Sequence, residues 1–361
     1  MSSSGRTMKL RALLGFAMVL ASIGVVSSSG SVSATSAGPI ALLGVSSIQI
    51  AIQKGMSIQK LPSNLAPQLS GEAKSMFWGG ACIIGEPGSS STAKACPFGD
   101  LSATSTVVVY GDSFSVEWVP AFNALGIKYH FKVLLFSRNG CPFADVKIND
   151  WIGSVDSGCL PFRQHVVEAI NAMRPLPSLV VLSEETELSS PKGGVLSMVQ
   201  WTNGIKKTIL QLDQATFPID VIFGEPEASS PPSACLARFS SSITKCSSRS
   251  SAALRNYNYP QIASAVSSVH AGLVNTSSLF CFDEICPDVI SGTLVHSDNW
   301  HIDQTFAAMA TQGLASLIGC TVNQFNKLTA TSRLLLQSLL PGANSAGAKG
   351  ACATSVTANH I

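Results

Sequence analysis

Charge is scarce in this chain: Asp, Glu, Lys and Arg make up 12% of its 361 residues, and the net charge is +2 with His neutral. No basic stripe with interleaved aromatics runs through it. There is thus no electrostatic reason to expect a nucleic-acid partner. The chain also lacks C-x-x-C repeats and clustered His, the ligand spacing that a structural zinc site needs. It has no internal repeat and no twin-Arg pair. The apolar run at residues 13–26 is shorter than the roughly 18–20 residues that span a bilayer.

That run has the parts of an export signal instead. Arg6, Lys9 and Arg11 precede it, and Val32-Ser33-Ala34 supplies small residues for cleavage after Ala34. Residues 1–34 are therefore expected to be a signal peptide and the mature chain to be extracytoplasmic. A retained membrane anchor is the alternative, and a lipid anchor is disfavoured because no Cys follows the cleavage site closely. Loss of these residues leaves 20 Lys and Arg against 21 Asp and Glu. The ten Cys all lie beyond the signal. Cys82 and Cys96, Cys141 and Cys159, Cys235 and Cys246, and Cys281 and Cys286 fall as close pairs, with Cys320 and Cys352 left over. In an exported chain an even Cys count reads as disulfides, although sequence alone leaves the connectivity open.

The chain divides into a lead-in segment at 35–105, packed on the surface of one α/β domain at 106–320, and an Ala/Ser/Gly-rich tail at 321–361 that adds little to the core. The lead-in includes a Gly/Ser-rich loop closed by Cys82 and Cys96. Within the domain, apolar β-branched runs at 106–110, 132–137, 178–182, 220–223 and 278–282 read as strands. They alternate with helical patterns at 115–125, 161–173, 198–212, 259–273 and 302–318. Strict alternation implies a mostly parallel five-stranded sheet between two helical layers, a three-layer α/β/α sandwich. Loops at the carboxyl ends of such strands hold the active site.

Gly111-Asp112-Ser113 stands at one such end. A Ser on a tight strand-to-helix turn can project its hydroxyl beside the helix N-terminus, which favours anions. The plain alternative is an N-cap, a frequent role for Ser. The second half of the pattern is Ser297-Asp298-Asn299-Trp300-His301. A carboxylate three residues before an imidazole can orient Nδ1 and leave Nε2 free. This is what a Ser nucleophile requires of its base, and it outweighs two independent capping roles. Glu225 and Glu227, after the fourth strand, could contact substrate hydroxyls but read more readily as solvated loop acids, and His296 as a strand-end polar residue. Trp118 and Trp300 could form a sugar-stacking platform, though helix-packing aromatics are commoner.

Three blocks in order carry a resemblance: 107–122 around Gly111-Asp112-Ser113, then Gly140-Cys141-Pro142, then Asp298-Asn299-Trp300-His301-Ile302. With Leu61-Pro62, Leu65-Ala66-Pro67 and the segment from Cys82 to Asp100, the chain over roughly 44–318 resembles the SGNH/GDSL hydrolase superfamily. It is most similar to the extracytoplasmic SGNH domain of bacterial acyltransferase-3 type O-acetyltransferases. The resemblance implies the flavodoxin-like SGNH hydrolase fold, with Ser113 as nucleophile, His301 as general base and Asp298 as orienting carboxylate. It implies an oxyanion hole from the backbone N–H groups of Ser113 and Gly140, and no cofactor.

Two positions depart from the family pattern. The Asn that often supplies a third oxyanion donor has no counterpart, and Ser183-Glu184-Glu185 stands there. Loss of such a donor can cost about 10²–10³ in rate. Phe114 replaces a His common after the Ser. The membrane-spanning acyltransferase half is also missing from this sequence. The expected function is that of a secreted monomeric serine esterase or O-acyltransferase. Its substrates would be small esters or acyl, chiefly acetyl, esters of cell-envelope glycans, with a separate membrane acyltransferase as a possible partner. A catalytically weak glycan-binding or scaffold protein is the alternative.

Overall fold

The run Thr106–Gly111 (TVVVYG) is buried along its whole length, so both of its faces must meet apolar layers. It is the centre of a sheet. In chain order the strands are β1 (Ile83–Ile84), β2 (Cys96–Gly99), β3 (Thr106–Gly111), β4 (Lys132–Arg138), β5 (Leu179–Ser183), β6 (Ile219–Phe223) and, after a short β7 (Ser248–Arg249) outside it, β8 (Gly272–Asn275). The spatial order is β1-β4-β3-β5-β6-β8, with β2 also on β4. Five neighbours, β4-β3-β5-β6-β8, are parallel throughout. This is the expected flavodoxin-like sheet. The additions lie at its edge, where β2 pairs antiparallel along β4 and β1 pairs parallel with Ser137 and Arg138. The described residues are 44–65, 69, 77, 83–84, 93–150, 153–185, 188, 190–212, 216–254, 259–322 and 332–335 of this computed structural model. The expected signal at 1–34, Cys82 and Cys352 lie outside them.

Successive strand residues face opposite sides, so β3 feeds two cores. Val107 and Val109 pack with Val133, Leu135 and Val181 beneath α1 (Val45–Gly55), α3 (Val119–Tyr129), α9 (Gln304–Met309) and α10 (Thr311–Val322). Val108 and Tyr110 pack with Val180, Leu182 and Val221 beneath α4 (Cys159–Ala172), α5 (Met198–Gln211) and α8 (Tyr259–Ser268). The three layers are the direct result. Helix α5 starts where Ser197 and Gln200 form a capping box, each side chain meeting the other's backbone N–H.

Four expectations need correction. The fifth strand is Gly272–Asn275, not 278–282, and the latter stretch begins as a 3₁₀ turn at Ser277–Leu279. Helix α8 stops at Ser268, and His270 turns left-handed (φ 58°) before the strand. The helix expected at 115–125 is broken at Trp118 into α2 (Ser113–Glu117) and α3, and Pro120 sits in the first turn of α3. The lead-in does more than cover the surface. Ile48 and Ile52 of α1 are fully buried in the core, and β1 and β2 extend the sheet. In the tail, Leu335 is buried, and Ser332 Oγ donates to the Ser178 carbonyl at 2.7 Å.

Three close Cys pairs are bonded among the described residues: Cys141–Cys159, Cys235–Cys246 and Cys281–Cys286. Cys96 and Cys320 are also disulfide-bonded. The first pair closes an 18-residue separation between the loop after β4 and the start of α4. By loop entropy, removing it through Cys141→Ala with Cys159→Ala should lower unfolding free energy by ~3 kcal/mol. Denaturant unfolding of the double variant checks this, and mass spectrometry of the unreduced wild type should find few alkylatable thiols.

Asp220 gives a second prediction. It lies fully buried on β6, where the absent side chain of Gly272 leaves it room: a Cβ on that glycine would fall 2.1 Å from Asp220 Oδ1. Thr321 Oγ1 of α10 donates to Oδ2 at 3.0 Å. Burial pushes the carboxyl up to about 8, against the opposing pull of that hydrogen bond. The folded state therefore keeps a proton that the unfolded chain releases near the ordinary Asp value. This group's contribution to stability is greatest in acid and is lost as pH rises toward about 8. Asp220→Asn mimics the neutral acid. It should match wild type near pH 4 and gain about 2–5 kcal/mol by pH 9, read by urea unfolding at both pH values.

Candidate active site at the carboxyl ends of the strands

The end of β3 is forced close to the end of β5. A Cβ on Gly111 would stand 1.7 Å from the Ser183 carbonyl oxygen, so only glycine fits there. The next residue, Asp112, caps α2. Its Oδ1 accepts from Phe114 N–H at 3.0 Å, and its Oδ2 accepts from Glu185 N–H at 3.0 Å. Its carbonyl accepts from the hydroxyls of Ser115 (2.6 Å) and Ser137 (2.9 Å). Asp112 thus fastens the ends of β3, β4 and β5 together. The cap belongs to Asp112, and the Ser113 side chain is left for another partner.

That partner is His301. Its Nε2 lies 2.9 Å from Ser113 Oγ, and its Nδ1 lies 2.8 Å from Asp298 Oδ2. The two residues occupy a turn ahead of α9, which starts only at Gln304 behind an Asp303 cap. The turn is held locally. Asp298 Oδ1 accepts from Trp300 N–H (2.8 Å) and His301 N–H (2.7 Å), and Ser297 N–H donates to the His301 carbonyl (2.9 Å). Ser113 is 4% exposed, and the His301 and Asp298 side chains are 12% and 29% exposed. Burial would raise the Asp298 carboxyl, but hydrogen bonds from the His301 ring and from two backbone N–H groups outweigh it. The carboxyl is held below its ordinary value. The arrangement can pass a proton from a serine hydroxyl to an imidazole whose other nitrogen is fixed by a carboxylate.

Gly140 sits in the loop after β4 in a left-handed conformation (φ 63°). Two devices set that loop. Cys141 is bonded to Cys159, and the buried Arg138 guanidinium grips Asp156 through both nitrogens. Asp156 Oδ1 also accepts from the N–H groups of Gly158 and Cys159. In the region of the missing Asn, Glu184 is buried. Its Oε2 accepts from Ala144 N–H at 2.7 Å, so this acid braces the loop beyond Gly140. Burial pushes Glu184 well above its ordinary range despite that hydrogen bond. Phe114 packs against the His301 ring with centroids 5.3 Å apart.

The other sequence candidates separate. Trp118 is fully buried against Phe280, while Trp300, adjacent to His301, is 49% exposed. A platform built from both tryptophans is excluded. His296 is buried, with Nε2 against the Pro226 carbonyl (2.8 Å) and Nδ1 3.8 Å from Asp288, beyond hydrogen-bond range. Glu225 is not a solvated loop acid: it is 2% exposed, and its Oε1 accepts from Trp118 Nε1–H at 2.7 Å. Sequence reasoning missed Glu117 altogether. It is fully buried one turn after Ser113, and its Oε2 accepts from Ile302 N–H at 2.9 Å. The available signal was a lone acid between Val116 and Trp118 in an otherwise apolar stretch of a chain with few charges.

Comparisons with known proteins agree with this architecture. The chain is similar in structure to the periplasmic domain of a lipopolysaccharide acetyltransferase of Salmonella ser. Paratyphi A. The TM-score is 0.50 at 11% sequence identity, over 71% of this chain and 97% of that one, and the likeness shows the shared fold. None of the curated proteins compared matches the chain. A family model does match, over residues 81–315, which include β3, the Gly140 loop and the Asp298–His301 turn. The chain belongs to the family of SGNH domains found fused to AT3 domains.

Proposed function

We propose that this protein is an extracytoplasmic serine esterase or O-acyltransferase of cell-envelope glycans, with Ser113, His301 and Asp298 as its catalytic triad. The observation that supports this reading most is the unbroken chain of contacts from Asp298 Oδ2 through both His301 nitrogens to Ser113 Oγ. Membership of the SGNH family supports the reaction class of ester cleavage or acyl transfer. The structural neighbour is an acetyltransferase domain, and this favours acetyl as the group moved. Disulfides favour an oxidising compartment, and no helix among the described residues is long and apolar enough to cross a membrane.

In this mechanism Ser113 Oγ attacks the ester carbonyl while His301 Nε2 takes its proton. The backbone N–H groups of Ser113 and Gly140 receive the developing oxyanion. Collapse breaks the ester C–O bond, and His301 returns the proton to the leaving alcohol. The acyl-serine is then attacked by water or a sugar hydroxyl, with His301 again as base. Asp298 holds the imidazole tautomer and supports the imidazolium that forms.

Ser113→Ala should lower kcat on a small acetyl ester by at least ~10³-fold while the fold is retained. Asp298→Asn should lower it by ~10⁴-fold, as the loss of an orienting carboxylate does elsewhere. Residual turnover of more than a few per cent in Ser113→Ala would remove the nucleophile assignment. Fluorophosphonate labelling followed by peptide mapping reads the same residue directly.

The exposed Trp300 face is the part of the site suited to a pyranose ring, since aromatic faces stack on apolar surfaces. Trp300→Ala should raise KM for an acetylated oligosaccharide about tenfold and leave kcat/KM for a small acetyl ester within twofold. Equal effects on both substrates would count against a sugar subsite there.

A further inference from the structure

Beneath Ser113 and His301 lie two acids that the proposed chemistry does not use. Glu117 stands four residues after Ser113, on the same face of α2. Its Oε2 accepts from the N–H of Ile302, the residue next to His301 in the chain. Helix α2 and the His301 turn are therefore tied twice. One tie is Ser113 Oγ to the imidazole at 2.9 Å. The other is Glu117 Oε2 to the backbone at 2.9 Å, one residue further on. The second tie is fully buried, whereas the first must open during reaction.

A second brace starts from the neighbouring residue. Trp118 Nε1–H donates to Glu225 Oε1, in the loop after β6. That loop is joined to the His301 turn twice, by His296 Nε2 on the Pro226 carbonyl and by Ala228 N–H on the Asn299 carbonyl (2.9 Å). Glu117 and Trp118 thus join the nucleophile's helix to both sides of the turn that carries the base.

We infer that Glu117 is a positioning residue of the reaction: it sets the spacing of nucleophile and base by gripping the backbone next to His301. This rests on the triad proposed above. Among the described residues Glu117 has no salt-bridge partner to account for its burial. Its Oε1 is buried without a hydrogen-bond partner among the described residues, and a carboxyl in that state costs stability rather than supplying it. Burial first, then the charge of nearby Glu225, push Glu117 well above its usual range. The Ile302 hydrogen bond opposes them, and Asp298 and Asp112 add to the rise. Burial likewise pushes Glu225 up to about 7. Both shifts favour the protonated acid, whose carbonyl oxygen can hold the Ile302 N–H without a charge. An amide can do the same.

The test compares Glu117→Gln, which keeps the acceptor, with Glu117→Leu, which keeps the volume and loses it. On a small acetyl ester, Glu117→Leu should lower kcat by about 10²-fold, the scale of a misplaced catalytic group. Its KM should stay within twofold and its thermal midpoint should equal or exceed that of wild type. Glu117→Gln should restore kcat to within about threefold. Proton NMR supplies a readout independent of turnover. The low-field resonance of the His301 Nδ1–H facing Asp298 should be sharp in wild type and Glu117→Gln, and broadened or lost in Glu117→Leu. Full activity with an unchanged resonance in Glu117→Leu overturns the inference. So does a Glu117→Gln variant as impaired as Glu117→Leu, because then the acceptor is not what matters. Ser113→Ala serves as the control for the triad itself: activity retained there refutes the nucleophile assignment, while the NMR comparison still decides the role of Glu117.

Discussion

The site hangs on one buried carboxyl, that of Asp112. Its two oxygens and its carbonyl receive hydrogen bonds from Phe114, Glu185, Ser115 and Ser137, which lie at the ends of three adjacent strands or in the segments just beyond those ends. Burial and the charge of Glu185 press it to keep a proton, while backbone N–H groups, Glu185 and Phe114 foremost, favour the charge. A carboxyl that meets two backbone donors from different loops fixes their separation. It thereby fixes where α2 begins and where Ser113 points. The hydrogen-bond gain per contact is about 1 kcal/mol, but losing the acceptor would strand buried donors at a larger cost.

The sheet explains why this point lies where it does. Strand β3 has β4 on one side and β5 on the other, and the chain leaves β3 toward β4 before it crosses back to β5. The loop after β3 therefore leads to one face of the sheet and those after β4 and β5 to the other, so the switch point where such sheets hold their sites lies between the ends of β3 and β5. The Glu184 side chain ties the end of β5 to the Gly140 loop through Ala144 N–H. The His301 turn approaches from the far side of the chain, 188 residues after Ser113. Nothing local to α2 could bring it there. Its position comes from β11 (Thr293–Leu294) pairing with β10 (Val289–Ile290), and from the packing of α9 against α3.

The elements legible in the sequence were those whose signal is strong within a few residues. TVVVY reads as a buried strand because it carries no charge and four of its five residues are β-branched. Asp298 and His301 read as a pair because the contact between them spans one turn. Strand β8 was not legible. It begins with a glycine and is only half buried at the sheet edge, so the longer apolar periodicity of α8 runs over it. The break at Trp118 was hidden for a related reason. Its indole belongs to the core whether or not the helix is continuous; the break itself follows from Pro120, which lacks the N–H that would continue the helix, and the hydrogen bond to Glu225 holds the indole there. Glu225 itself looked like a solvated acid because single-residue statistics place charged loop residues outside, and its partner is 107 residues away.

Three of the buried acids that sequence statistics would place outside share one pattern. Asp112 holds the N–H groups of Phe114 and Glu185, Glu117 holds that of Ile302, and Glu184 holds that of Ala144. Each grips the backbone of a loop that reaches the site. None has a cation within salt-bridge distance among the described residues. A hydrophobic core could pack these helices at lower cost, since burying a carboxyl costs free energy that a single hydrogen bond only partly offsets. What apolar packing lacks is direction. A carboxyl oxygen fixes a donor to within a few tenths of an ångström, and the contact between Ser113 and His301 needs that tolerance. Asp112, Glu117 and Glu184 thus enter the core where loop geometry has to be held, whereas Asp220 meets only the Thr321 hydroxyl of α10 among the contacts described above.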